Sequence, residues 1–331
     1  MSKYIPVARV ASASFLATAL LGMTACKPSK SSKRTTDEGG HAIEDLVSGI
    51  TARFLAGGDS RDDHNHVLPW AFEEAQARGA KAFFFLGDME LTPELDAHFR
   101  RELDLLGPIP LFPAIGNHEV QQFGIFRMHF ANGLIGPEKR FQAHFLGTPR
   151  TPVLSVMQDR VVYSVNLDAG VHFVALDNVS QPGFGEAQLA WLGQDLAVVK
   201  QDGRTKHIII GLHKPLARNP LTKHSMEEDG PQGMKDSDAA LALFEQSNVS
   251  LILASHLHEF AKFSQGGIES YITGGLGARL HRADKKDGSR AVHHFLQIDV
   301  VGPLVHVTMV PFNGPADVAN DEEDDETSPK P

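Results

Sequence analysis

The sequence predicts an α/β fold: a four-layer αββα sandwich, two mixed β-sheets face to face with helices outside. Three observations predict it. Between residues 53 and 115, short apolar runs alternate with amphipathic helical stretches, the pattern of a parallel sheet with right-handed crossovers. A second strand-rich half, also carrying helices, follows without a strong internal repeat. Five polar segments then stand where buried strands should end: Gly58-Asp59-Ser60-Arg61, Gly87-Asp88, Gly116-Asn117-His118-Glu119, Gly211-Leu212-His213 and Ser255-His256-Leu257-His258.

The elements follow in order. Residues 53–58 form a short apolar strand running into Asp59. Residues 69–78 have helical spacing, with Pro69 in the first turn, Trp70, Phe72 and Ala75 on the apolar stripe, and Gly79 as the stop. Residues 81–86 are nearly all apolar, as suits a strand covered on both faces, and run into Asp88. An amphipathic helix over 94–106 is closed by Gly107-Pro108, and a third strand over 109–115 leads to Asn117. After a looser stretch, 161–167 and 171–176 flank Asp168-Ala169-Gly170 as a β-hairpin. A helix over 185–200 carries Leu189, Leu192 and Leu196 on one stripe. A strand over 207–212 delivers His213, a helix covers 237–246, and a strand over 249–254 delivers His256 and His258. Residues 268–273, 293–300 and 304–310 read as antiparallel strands separated by Gly-rich turns.

Charge divides the chain. Net charge is −10, with +6 on residues 1–34, −6 on residues 317–331 and −10 on the body between them. An acidic body argues against binding to a nucleic-acid duplex, yet permits a small anionic substrate if bound cations invert the local field. The single cysteine, Cys26, excludes an intrachain disulfide. It follows Lys3, Arg9 and an Ala- and Leu-rich run over 11–23, the layout of a secretory signal. Met23-Thr24-Ala25-Cys26 resembles the lipobox of bacterial lipoproteins, although Met23 departs from the usual Leu. That resemblance implies cleavage before Cys26 and a lipid anchor on its sulfur; the alternative is an ordinary cleaved signal. Both place the mature chain outside the cytoplasmic membrane, in the cell envelope or periplasm. The expected organisation is a signal peptide over 1–25, a flexible tether over 26–41, one domain over 42–314 and an acidic disordered tail over 315–331.

The order of the five segments resembles the calcineurin-like metallophosphoesterase superfamily, whose pattern is Asp-x-His, Gly-Asp, Gly-Asn-His-Asp/Glu, a lone His, then Gly-His-x-His. The resemblance covers about residues 50–280. It implies two divalent cations (Mn²⁺, Fe²⁺/Fe³⁺ or Zn²⁺), a small phosphorylated substrate, and ester hydrolysis by a metal-bridging hydroxide. By motif position, Asp59 and His258 would bind metal 1, Asp88 would bridge, and Asn117, His213 and His256 would bind metal 2. His118 would not be a ligand but would face substrate as the proton donor. Spacing agrees: His256 and His258 are two apart, so in an extended segment both leave one face.

One position departs from the family. Arg61 stands where Asp-x-His has histidine, and a guanidinium cannot coordinate a cation. Three accounts are open: water fills the gap; Asp62, Asp63, His64 or His66 substitutes; or Arg61 forks onto a substrate phosphate. A fourth is a local cap or salt bridge to Asp62 and Asp63. Tyr163 to Asn166 and Val171 to Asp177 resemble the purple acid phosphatase branch, but Leu91 stands where that branch carries its tyrosine ligand, so no iron–tyrosinate site is expected. Arg61 also motivates a competing function, an envelope lipoprotein that binds through a partial metal site. Among the remaining polar groups, Glu119 is expected to orient or cap, His172 to be structural, His224 to be structural in preference to lining the mouth, and His144, His281, His293 and His294 to be surface or capping groups. Gly274-Gly275-Leu276-Gly277 lacks the Lys-Ser/Thr of a P-loop and is read as a turn passing close to the metal loops.

Overall fold

The computed structural model describes residues 49–63, 66–89, 101–121, 153–157, 161–281 and 288–314. The segments expected as leader, tether and acidic tail, with His64, Leu91, His144 and residues 94–100, lie outside the described residues.

The first sheet has the order β12-β11-β1-β2-β3. Its central strands β1 (Ala52–Gly57), β2 (Phe83–Phe85) and β3 (Leu111–Pro113) pair in parallel. Helix α1 (Val67–Ala77) connects β1 to β2, and residues 101–106 are helical before β3. The antiparallel pair β11 (His294–Val301) and β12 (Leu304–Pro311) closes the sheet against β1. That late return is held by the Arg53–Asp299 ion pair at 2.6 Å.

The second sheet has the order β4-β5-β6-β7-β8-β10-β9. Strands β6 (Val171–Ala175), β7 (His207–Gly211), β8 (Leu251–Ala254) and β10 (Ile268–Thr273) are parallel neighbours. Strands β4 (Val153–Met157), β5 (Val162–Leu167) and β9 (Phe260–Gln265) pair antiparallel at the flanks. The predicted hairpin is β5–β6, turned by the short 3₁₀ segment Asp168–Gly170. Helices α3 (Gly185–Asp202) and α4 (Gly230–Gln246) cover the outer face; the label α2 belongs to the short helix Asn117–Gln121.

Side-chain alternation along the strands assembles the layers. Phe84 turns inward and stacks on Phe173 of β6, ring centroids 4.1 Å apart and 6° from parallel. Its neighbour Phe83 turns outward and meets Phe72 of α1 edge-on. Likewise Phe173 faces the inter-sheet core while Val174 faces the helices. The Tyr163 hydroxyl donates to the Pro113 carbonyl across the sheets. Every aromatic residue named here is fully buried. This is the predicted sandwich of two mixed sheets.

Three expectations are corrected. Residues 268–273 pair in parallel with β8 and lie in the other sheet from β11 and β12, because β9 folds back as their antiparallel neighbour. Strands β4 and β9 were not expected. Helix α4 begins at Gly230 rather than 237: Gly230-Pro231 looks like a breaker, but proline in the first turn has no amide that needs a partner there.

The Phe84–Phe173 stack joins the sheets at their centre. Phe84→Ala is expected to cost about 3–5 kcal/mol in stability, read from denaturant unfolding, because the two stacked sheets cannot close on the void.

Candidate metal centre

All five polar segments emerge from the C-terminal ends of parallel strands or just beyond them: β1, β2, β3, β7 and β8. Both sheets contribute, so the segments meet along one edge of the sandwich. Asp59 and Asp88 are buried in left-handed backbone, with φ of 59° and 57°, and His256 follows at 72°. Non-glycine residues there cost of order 1 kcal/mol or more and are held by their surroundings. The holding contacts are plain. Glu119 accepts three backbone amides, from Asp88 (2.8 Å), Met89 (2.7 Å) and Gly116 (2.8 Å), which pins the loop after β2 to the loop after β3. The His118 amide donates to Asp88 Oδ1 at 3.0 Å, and the His256 amide donates to Asp59 Oδ2 at 2.9 Å. A Cβ on Gly116 would overlap the Asp88 carboxylate, and one on Gly274 would overlap Asp59, so the glycine turn after β10 does pass against the metal loops.

The structure brings Asp59, Asp88 and His213 together, one ligand atom of each within 4.8 Å of the others. Asn117 joins them: its Oδ1 lies 2.9 Å from His213 Nε2 and 3.1 Å from His256 Nδ1. His213 Nε2 lies 3.5 Å from Asp88 Oδ1, and His258 Nε2 lies 3.9 Å from Asp59 Oδ1. His118 stands at the rim, its side chain one-fifth exposed and Nε2 3.9 Å from Asp88 Oδ2. Arg61 is half-buried beside the site; its charge acts on both Asp59 and His258, and its amide donates to the Asp88 carbonyl.

Proton accounting tests whether these groups suit a cation. His213 Nδ1 lies 2.8 Å from the Leu86 carbonyl, so that nitrogen carries the proton. Its Nε2 then presents a bare lone pair to the oxygens of Asn117 and Asp88. His258 repeats the arrangement: Nδ1 donates to the Arg279 carbonyl at 2.8 Å, leaving Nε2 bare toward Asp59. Asp59 Oδ1 is buried without any hydrogen-bond partner. Lone pairs converging in a buried space repel, and a divalent cation is what they fit. Protonation is resisted on the imidazoles: burial pushes His213 down to about 4 and His258 well below its usual value. Burial and then Asp88 raise Asp59. Asp88 is itself pushed up by burial, but His213, His118 and His256 outweigh this and hold it low.

The flanking residues sort as follows. Asp63 spends both oxygens on the Val67 and Leu68 amides at the start of α1, which removes it as the substitute for the absent histidine. His66 is exposed at the helix N-cap. Glu119 orients the loops, as expected. His172 is bonded to Asp195 of α3 at 2.9 Å and Asn166 at 2.7 Å, a buried structural link. His281 caps a backbone amide, as expected: its Nδ1 accepts from the His258 amide at 3.3 Å, and its ring lies 4.3 Å from that of His258. Two histidines are corrected. His293 and His294 are buried, not surface groups; His294 Nδ1 donates to the Val292 carbonyl and Nε2 accepts from Thr273. Sequence reasoning also missed Glu228, which lies 3.6 Å from His256 Nε2 and 2.8 Å from His224 Nδ1. Its only sequence signal is the four-residue spacing to His224.

A family model described as calcineurin-like phosphoesterase matches residues 52–260. Among solved structures, a purple acid phosphatase from yellow lupin seeds is similar with TM-score 0.57 and 16% identity, over 78% of this chain and 51% of that one. An anchor protein of the inner membrane complex of Plasmodium is similar with TM-score 0.56 and 11% identity, over 79% and 85%. A dimetal phosphatase from Danio rerio is similar with TM-score 0.51 and 14% identity, over 78% and 96%. At these identities the likeness is one of fold. No curated protein sequence matches the chain.

Two outcomes are expected. Glu119→Ala leaves three backbone amides without their acceptor and should cost about 3 kcal/mol or more, measured by denaturant unfolding. His294, pushed by burial from 6.5 to about 4, takes up its proton in the unfolded chain first. Its contribution therefore falls away as pH drops from 6.5 toward 4, by about 3 kcal/mol at most. His294→Gln should flatten the stability–pH curve of the metal-free protein over that interval.

Proposed function

Because the chain belongs to the calcineurin-like phosphoesterase family, we propose that it is an exported, metal-dependent hydrolase of phosphate esters with a two-metal centre. The observation that carries this is the meeting of Asp59, Asp88 and His213 at the strand ends, with Asn117 facing two imidazole nitrogens. The proposed ligands are Asp59 and His258 for one cation, Asn117, His213 and His256 for the other, and Asp88 between them. Oxygen and imidazole donors of this mixture suit Mn²⁺, Fe²⁺/Fe³⁺ or Zn²⁺. When bound, such cations supply an activated water and neutralise charge on a phosphoryl group.

The protein's own groups then divide the remaining work. Asp88, held low by its imidazole neighbours, stays ionised to serve both cations. His118 is fixed through its backbone amide while its ring stays at the rim; its assigned role is to give a proton to the leaving alkoxide. Arg61, the permanent cation whose charge acts on Asp59 and His258, is assigned the contact with a non-bridging phosphate oxygen. The lipobox-like segment supports a lipid anchor at Cys26 and residence in the cell envelope. A second reading, a binding lipoprotein with a partial site, is favoured by Arg61, which leaves one cation a nitrogen ligand short.

Hydrolysis of mono- and bis-p-nitrophenyl phosphate with Mn²⁺, Zn²⁺ or Fe²⁺ tests the proposal, alongside metal counting. Activity should vanish on chelation, return on adding metal, and be absent from Asp88→Ala. His118→Ala should lose about 10²–10⁴ in kcat, and Arg61→Ala should raise KM. Activity that survives chelation or Asp88→Ala refutes the enzyme; about one ion per chain with no turnover supports the binder.

A further inference from the structure

We infer that Glu228 is a positioning residue for the metal centre: it holds the Nε2 proton of His256 so that Nδ1 is left bare for a cation. The inference rests on the two-metal reading above and concerns an acidic side chain that no metal motif contains. His256 differs from its fellow imidazoles. The tautomers of His213 and His258 are set by backbone carbonyls, those of Leu86 and Arg279. His256 has Asn117 Oδ1 3.1 Å from Nδ1 and the Glu228 carboxylate 3.6 Å from Nε2. A proton on Nδ1 would donate to Asn117 and withdraw both groups from coordination. A proton on Nε2 leaves Nδ1 and the Asn117 oxygen both available. The carboxylate selects the second arrangement, as outer-shell carboxylates do for ligating histidines.

Glu228 is itself held in place. Its Oε1 meets His224 Nδ1 at 2.8 Å, and Oε2 lies 3.6 Å from Lys214 Nζ. Lys214 also pairs with Asp229 at 3.0 Å, and its backbone is clamped to Asn178 in both directions. The 3₁₀ turn Met226–Asp229 is capped by Ser225 and tied to the Pro215 carbonyl. The carboxylate therefore approaches His256 from a braced element, just outside hydrogen-bond length. His224, exposed, and Lys214, largely buried, both contact Glu228 in the loop after β7.

The test is a titration of the metal-free full chain with Co²⁺, read by its visible ligand-field bands, and with Mn²⁺ for stoichiometry. Glu228→Gln should weaken one of the two binding steps by about 10–100-fold and alter the Co²⁺ spectrum, with the metal-free melting temperature unchanged. Glu228→Asp, which keeps the charge, should restore much of the affinity. A Gln variant with the wild-type isotherm and spectrum overturns the inference and leaves the two-metal reading intact; wild-type protein that binds no Co²⁺ or Mn²⁺ overturns both. Should Glu228→Gln also lower the metal-free melting temperature, His224→Ala decides. Weakened binding there sustains the role, and unchanged binding ends it.

Discussion

Buried lone pairs outnumber the protons available to them at one edge of this molecule, and much of the surrounding structure exists to keep them there. Two imidazoles spend their only protons on the carbonyls of Leu86 and Arg279, which turns their bare nitrogens inward. Asp59 accepts one amide and leaves its other oxygen unmatched. Polar atoms buried in this way are costly unless something positive satisfies them. Part of the strain is taken up by the carboxyl of Asp59, which is pushed well above the usual carboxylate range. The left-handed backbone at Asp59, Asp88 and His256 belongs to the same arrangement, since ordinary strand ends would aim these groups elsewhere.

Such crowding needs a rigid frame, and the sandwich provides it. Parallel strands finish at the same edge of a sheet, so the loops after β1, β2 and β3 gather there, as do those after β7 and β8. The Phe84–Phe173 stack and the Tyr163–Pro113 hydrogen bond fix the two edges against each other. Glu119 then joins neighbouring loops through three amides at once. A carboxylate one residue from His118 is thus spent on architecture, while the histidine ring stays at the rim.

The two halves of the proposed centre are unequal. The half with Asn117, His213 and His256 has the amide oxygen within 3.1 Å of both imidazole nitrogens and an outer carboxylate behind one of them. The half with Asp59 and His258 is buried, with Arg61 where the family has a ligand and the His281 ring stacked behind His258. A fixed positive charge beside Asp59 acts on the carboxyl there and on His258. That asymmetry gives the proposed hydrolase one strongly furnished metal position and one tuned by its arginine.

Fold class and the central residues were legible in the chain because both rest on short-range patterns. Apolar runs of strand length ending in Asp, Asn or His announce themselves without coordinates; Asp59, Asp88 and His213 from three of those ends lie together, with Asn117, His256 and His258 beside them. What the linear pattern could not carry were pairings between distant segments. The parallel placement of β10 on β8, the return of β11 to β1, and the extra strands β4 and β9 depend on which edge each strand finds. The same holds for Glu228 behind His256 and His281 behind His258, whose roles come from loops folding onto the site rather than from spacing. Sequence by itself determined the donor types and the strand ends that present them, since local periodicity encodes both. Tertiary structure alone decided which proton each imidazole keeps, because that depends on carbonyls and carboxylates brought from elsewhere in the chain.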